Sequence, residues 1–356
     1  MADSSTGEVA GGGPEHLNGP PTPPGRALAR SARVGRTVRV VLTLAVLAVA
    51  GVALADRWKE VQGHLSHVSP FAVLGAFGCM LVALFMAMMA WRALLTGFGS
   101  HIPVPAAMRI VFVSALGKYL PGSIWPYLAQ IELGREHHVP RTRSAAVSVL
   151  TVLVSLITAL IIAAATLPWA SAAATKRFWP VFIALPVLIA VLHPRILNAL
   201  LVKAGRILRR PTFDEQVTPR AMLVAVAWTA SAALLSGIQI WLLAINVASV
   251  GIRALPVCVG AYALAWSAGF LFIIAPAGAG VREAAMVACL TPIMSATDAL
   301  LIALLSRLIT TAADFTAAGA IFASGAKNHL AALRSRGDPD TVADETVDEL
   351  PGSTVT

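Results

Sequence analysis

The chain has 356 residues, of which 57% are hydrophobic and only 13% charged, with a mean hydropathy of +0.76. Soluble domains carry about one-quarter charged residues, so this composition excludes a soluble globular protein and points to an all-α, polytopic membrane protein. The net charge of +9 would suit nucleic acid, but the basic residues lie in short loops between apolar runs and form no single face. Anionic lipid headgroups are the expected partners, and nucleic acid is not.

Residues 1–37 are rich in Gly, Pro and Ser and turn basic from Arg26 onward, which predicts a disordered cytoplasmic arm. A first span is expected over 38–55. Ala53-Leu54-Ala55 has the small residues of a signal cleavage site, but a retained helix is favoured, because several spans follow and Arg30, Arg33, Arg36 and Arg39 anchor it on the inner side. A polar outer stretch, 56–69, leads to a returning span over 70–91 and to Arg92 inside. The apolar run 104–116 then meets Lys118 and Pro121. Only about a dozen residues separate this break from the basic loop of Arg135, His137, His138, Arg141 and Arg143, too few for a second crossing of ~20 residues. The expectation is a re-entrant hairpin with its tip at Pro121-Gly122.

Spans over 144–167 and 178–193 follow, separated by Lys176 and Arg177 outside. The loop 194–220 is the most basic, and 196–208 has helical apolar spacing that suits either a surface-lying helix or an ordinary positive-inside loop. After an outward span at 221–245, the run 256–274 breaks at Pro276-Ala277-Gly278-Ala279-Gly280. The next stretch, 281–294, would rise roughly 21 Å as a helix, short of the ~30 Å hydrocarbon core. A second hairpin, entering from the outer side, is the economical layout. A last span at 298–323 returns the chain inside, and 327–356 is expected to be a disordered, acidic cytoplasmic tail behind a membrane domain of 38–326. Of the 27 Lys and Arg, only Arg57, Lys59, Lys176, Arg177 and Arg253 fall outside, while Lys118, Arg282 and Arg307 lie within the membrane. That asymmetry predicts a multi-pass cell-membrane protein with both termini cytoplasmic. Two opposed hairpins with Gly/Pro breaks are compatible with an inverted repeat.

Ionisable groups and helix breakers inside hydrocarbon are tolerated where they are buried in protein or line a polar cavity. Lys118 stands just before Pro121-Gly122, and Ser123 is placed to cap the returning arm. The free N–H groups of that arm, with Lys118 and Tyr119, would form an anion pocket suited to a phosphate. Arg282 repeats the scheme after Gly278 and Gly280. Glu283, Arg307 and Asp314 complete the candidate substrate-binding set, Arg307 and Asp314 lying seven apart and so two turns apart on one helix face. The competing reading has these groups forming static ion pairs, including an Arg307–Glu283–Asp314 network, for structure alone.

Soluble-protein motifs do not fit. GKYLPGS lacks the first glycine of a P-loop and has Tyr119 where Ser or Thr would hold magnesium. Cys79, Cys258 and Cys289 lie in apolar segments without disulfide or metal spacing, and His137-His138, His64 and His67 lack companion ligands. No cofactor, metal or catalytic residue is expected.

At GKYLPGSIW from Gly117, at APAGAGVRE from Ala275 and at the Arg307–Asp314 pair, the sequence resembles the transmembrane domain family of lysylphosphatidylglycerol synthases. This is the flippase-like membrane domain of bacterial multiple peptide resistance factors and of stand-alone relatives. The resemblance spans about residues 38–326 and implies movement of lipids, such as aminoacylated phosphatidylglycerol or lipid-linked glycans, between leaflets. Two departures stand out. The synthase's soluble aminoacyl-transfer domain has no counterpart in the thirty or so residues after the membrane part, so a non-enzymatic transporter is expected. Where many relatives carry an acid in the span after the first hairpin, this chain has Thr151 and Ser155. The alternative function is an accessory protein that scaffolds a separate lipid or cell-envelope enzyme.

Overall fold

The computed structural model describes residues 69–119, 124–169, 217–272, 278 and 280–336, and a few isolated positions between 183 and 199. All fall in one compact unit, 39–356. The expected N-terminal arm and first span, the hairpin tip 120–123, the span 178–193, most of the basic loop and the tail from 337 lie outside the described residues.

Eight α-helices are described: α1 Pro70–Gly97, α2 Val104–Ala115, α3 Trp125–Arg135, α4 Arg141–Thr166, α5 Pro219–Ala248, α6 Leu255–Leu271, α7 Val281–Leu290 and α8 Ala296–Arg336. No strand occurs among the described residues. Among the described residues five segments are long and apolar enough to cross a membrane: α1, α4, α5, α6 with its preceding turn (Ile252–Leu271), and Ala296–Ser324 of α8. The protein is therefore an all-α, multi-pass membrane protein.

The helix boundaries follow local chemistry. Pro70 and Pro219 open α1 and α5 at the first helical position, where a missing N–H costs nothing. Thr218 caps α5 by accepting a hydrogen bond from the Ala221 amide at 3.3 Å. The last helix departs from expectation. It continues through Arg336, so residues 327–336 are helical where a disordered tail was expected. They contain no Gly or Pro and are mostly Ala, Leu, Lys and Arg, all good helix formers, and the first breaker after them is Gly337.

The long helices α1, α4 and α5 pack together, α1 against α5 most extensively, with α8 against α1 and α5. They build two apolar cores. One holds the first half of α1 and the second halves of α4 and α5, together with α6, α7 and the start of α8, and includes Met80, Ala163, Leu243, Ala261 and Leu290. The other holds the second half of α1, the first halves of α4 and α5, and α2, and includes Trp91, Leu94, Ile110, Leu150 and Met222. Large side chains such as Leu74, Val149, Leu223, Leu234, Leu308 and Phe322 remain exposed on the outside, as a lipid-facing surface requires. Small residues let backbones approach: a Cβ on Gly237 of α5 would lie 2.5 Å from the Cα of Val259 on α6.

Two short helical pairs are built on this frame. In the first, Gly117 lies against the backbone of Trp125 and Pro126, and Arg109 pairs with Glu136 at 2.9 Å, so α2 and α3 run antiparallel. In the second, Gly278 closes against Gly269, and α7 returns along α6. The pairs are unequal. Twelve and eleven residues form α2 and α3, neither of spanning length, whereas the α6 segment is long enough to cross and only the ten-residue α7 is short. The second pair is thus a span-length helix followed by a short return, in line with the longer run 256–274 and the short stretch 281–294 of the sequence.

Candidate functional site

Where the two cores meet, at mid-length of the long helices, the packing leaves a cavity of about 160 Å³. Small side chains make the room: Ala83 and Ala87 from α1, Ser155 and Ala159 from α4, and Thr229, Ala232, Ala233 and Ser236 from α5. Thr310 of α8 and Tyr262 and Trp266 of α6 complete the wall. The volume is well above the ~10–15 Å³ that one water needs. Two cations reach it from the two short pairs, Lys118 from the end of the first and Arg282 from the start of the second.

Lys118 lies in a short 3-10 turn, Leu116–Tyr119, that continues α2. Its Nζ is 2.5 Å from Oδ2 of Asp314, whose side chain is 1% exposed against 33% for Lys118. The Tyr119 hydroxyl donates to the same Oδ2 at 2.6 Å, and its ring stacks on Phe315. Asp314 therefore holds the 3-10 turn onto α8 through two adjacent side chains. Its other oxygen, Oδ1, is buried and accepts no hydrogen bond from the described residues. An ammonium at the centre of a membrane helix costs at least ~2.5 kcal/mol, and this carboxylate offsets it.

Arg282 is held differently. Its guanidinium lies over the Tyr262 ring, 4.9 Å from the centroid, a cation–π contact. Among the described residues no carboxylate lies within ion-pair distance of it. Its neighbour Glu283 faces elsewhere, accepting a 2.6 Å hydrogen bond from the Gly280 amide and pairing with Arg307 at 3.4 Å. Gly280 and Gly278 have φ of +84° and +68°, and a Cβ on Gly278 would come 2.7 Å from the Gly269 Cα. These glycines shape the turn that delivers Arg282 rather than lining the cavity.

Of the candidate residues, then, the cavity gathers Lys118 and Arg282. Tyr119 and Asp314 stand behind Lys118, while Glu283 and Arg307 form a separate pair on the α7–α8 contact. At contact distance the acids divide, Asp314 pairing with Lys118 and Glu283 with Arg307, while Arg307 also attracts Asp314 at longer range. Pro121, Gly122 and Ser123 lie outside the described residues. The residue at the N-cap position of α3 is Ile124, which makes no side-chain cap. Pro126, early in the helix, helps set its start instead.

The hydroxyls of the wall were missed in the sequence. Thr229, Ser236 and Thr310 each donate to the carbonyl four residues back, at 2.8, 2.9 and 2.8 Å, leaving their oxygen lone pairs as acceptors. A signal for them existed: Thr229, Ala232, Ala233 and Ser236 fall at i, i+3, i+4 and i+7, a stripe of small and hydroxylated residues on an otherwise bulky helix. None of Glu132, Glu283 and Asp314 lines the cavity, and among the described residues no three His, Cys, Asp or Glu come together as a metal site would need.

A family model described as the lysylphosphatidylglycerol synthase TM region matches residues 37–318. The chain belongs to that family. No curated protein matches it significantly. The whole site, from Lys118 to Asp314, falls inside the matched lysylphosphatidylglycerol synthase TM region, and only the last part of α8 among the described residues extends past it.

Proposed function

We propose that this protein is a non-enzymatic lipid flippase, moving an anionic phospholipid or a lipid-linked glycan between the leaflets of the cell membrane, with both termini cytoplasmic. The observation that carries the reading is the joint presence of Lys118 and Arg282, from separate short helical pairs, in one cavity at mid-length of the bundle. A cavity of this volume takes a headgroup phosphate and its near neighbours, and the acyl chains stay among the lipids outside. Arg282, which lies against an aromatic face and pairs with no carboxylate among the described residues, is the stronger anion ligand at rest, and Lys118 joins it when the 3-10 turn moves. The first short pair, α2 and α3, rocks against the rest of the bundle to open the cavity to one leaflet at a time. Glu283 and Arg307 keep α7 fixed on α8, so that Arg282 stays aimed at the cavity.

In vesicles carrying the purified protein, labelled phosphatidylglycerol should cross at a rate that falls at least tenfold in Arg282→Gln and in Lys118→Gln, with insertion unchanged. Normal rates in both variants would overturn the assignment. The length of α8 favours a second reading: at 41 residues it would run roughly 60 Å, about twice the hydrocarbon thickness, and so offers a partner a projecting helix. A scaffold for a lipid or cell-envelope enzyme would tolerate both substitutions and co-purify with that enzyme.

A further inference from the structure

The contact between Lys118 and Asp314 has a consequence for any anion that enters the cavity. A single ammonium 2.5 Å from a carboxylate is already neutralised, and Tyr119 commits its hydroxyl to the same oxygen. For Lys118 to bind a phosphate, it must leave Asp314. Asp314 is 2% exposed and its Oδ1 accepts nothing from the described residues, so on losing Lys118 the carboxylate would keep only the Tyr119 hydroxyl and the more distant Arg307 to offset its charge. Protonation relieves that cost.

From this geometry we infer that Asp314 is a proton-binding site coupled to the anion site: each monoanion that engages Lys118 brings one proton onto Asp314. The inference rests on the headgroup reading given above. The step balances simply. A proton taken from water forms a new O–H bond at Oδ1, which no described residue occupies; the Tyr119 hydroxyl goes on donating to Oδ2; the Lys118 ammonium keeps its charge and turns to the phosphate; and the net charge of the site is unchanged by the monoanion and proton that enter. Transport of a monoanionic lipid through such a site is electroneutral, and a transmembrane pH difference can drive it.

The other charged groups of the elements around Asp314 are engaged elsewhere, although Arg307 also attracts it at longer range. Among the described residues, Arg307 lies seven residues earlier on α8 and pairs with Glu283. On α7, Arg282 faces the Tyr262 ring. From α1, Arg92 donates to the Ile102 carbonyl at 2.9 Å, and from α2, Arg109 is held by Glu136 at 2.9 Å. Arg220 is at the exposed first turn of α5.

The test is binding of dihexanoyl phosphatidylglycerol, a short-chain phosphodiester that does not itself titrate between pH 5 and 8, to the full chain in neutral detergent. Isothermal calorimetry in two buffers of different ionisation enthalpy counts the protons taken up. The expected result is up to one proton per ligand and an apparent Kd that tightens by up to tenfold per unit fall in pH. In Asp314→Asn the Kd should become independent of pH. In Arg282→Gln binding should weaken at every pH while the slope persists. Tight binding by the unaltered protein with no proton uptake would overturn the coupling and leave the headgroup site standing. Absence of binding at any pH would overturn both. Because the counting uses the unaltered protein, the inference remains falsifiable even if Asp314→Asn fails to fold.

Discussion

Lys118 is the residue whose neighbours most change its meaning. Read in the sequence, it is an isolated cation within a helix break. In the structure it is half of a pair whose acid is 196 positions away, on α8. Its existence as a compensated charge was legible, because hydrocarbon demands it. The identity of the partner was not, since Glu283, Asp298 and Asp314 were all available and only the packing of the 3-10 turn against α8 selects among them. Removing one member of such a pair strands the other. We expect Lys118→Gln to lower stability in detergent by on the order of 2–4 kcal/mol. The double variant Lys118→Gln/Asp314→Asn should recover part of that loss, because no bare carboxylate remains. Denaturation midpoints of the singles and the double measure this directly, and strictly additive losses would argue against a coupled pair.

At the scale of elements, the two helical pairs were signalled by their Gly/Pro breaks, and the shortness of the second return by the length of 281–294. The run 256–274 was expected as a hairpin arm, and Ile252–Leu271 has the length and hydropathy of a full span. Helix contacts are invisible beforehand. Gly237 is one glycine among 27, and only the crossing of α5 and α6 shows why a side chain is excluded there. Gly237→Ala should force these helices apart and cost about 1–3 kcal/mol, seen as a lower unfolding midpoint in detergent. Gly251→Ala, where a Cβ meets nothing within 4 Å, should leave the midpoint nearly unchanged.

The exposed end of the first pair gives a pH prediction. Glu132 accepts from Arg141 at 3.2 Å and from Arg135, and these hydrogen bonds, Arg141 first, hold its carboxyl below the ordinary value of 4.5. A lowered carboxylate contributes stability above its unfolded value and loses it as pH falls through the folded one. The tie between α3 and the start of α4 should therefore loosen only in acid, and weaken with added salt, because the group is fully exposed. Hydrogen exchange of the α3 amides should rise below pH 4 in the unaltered protein and be pH-insensitive there in Glu132→Gln, apart from the chemical exchange rate itself.

For the molecule as a whole, hydropathy was enough to identify a bundle of membrane helices, and the GKYLPG and APAGAGVRE segments were enough to indicate the family to which the chain belongs. The cavity was not legible, because it is a property of many helices at once. It arises where two cores abut and small residues from α1, α4 and α5 face one another at mid-length. Only the i, i+3, i+4, i+7 stripe on α5 hinted at it. The central claim is that this chamber receives an anionic headgroup between Lys118 and Arg282.

The most direct measurement places a reporter in the wall. Ala233→Cys, in a background with Cys79, Cys258 and Cys289 replaced by Ser or Ala, is treated in detergent with a small sulfonate-bearing methanethiosulfonate reagent. The account predicts modification of Cys at this position, and protection from it by phosphatidylglycerol but not by phosphatidylcholine at equal concentration. An unreactive thiol, or equal protection by the two lipids, would contradict it.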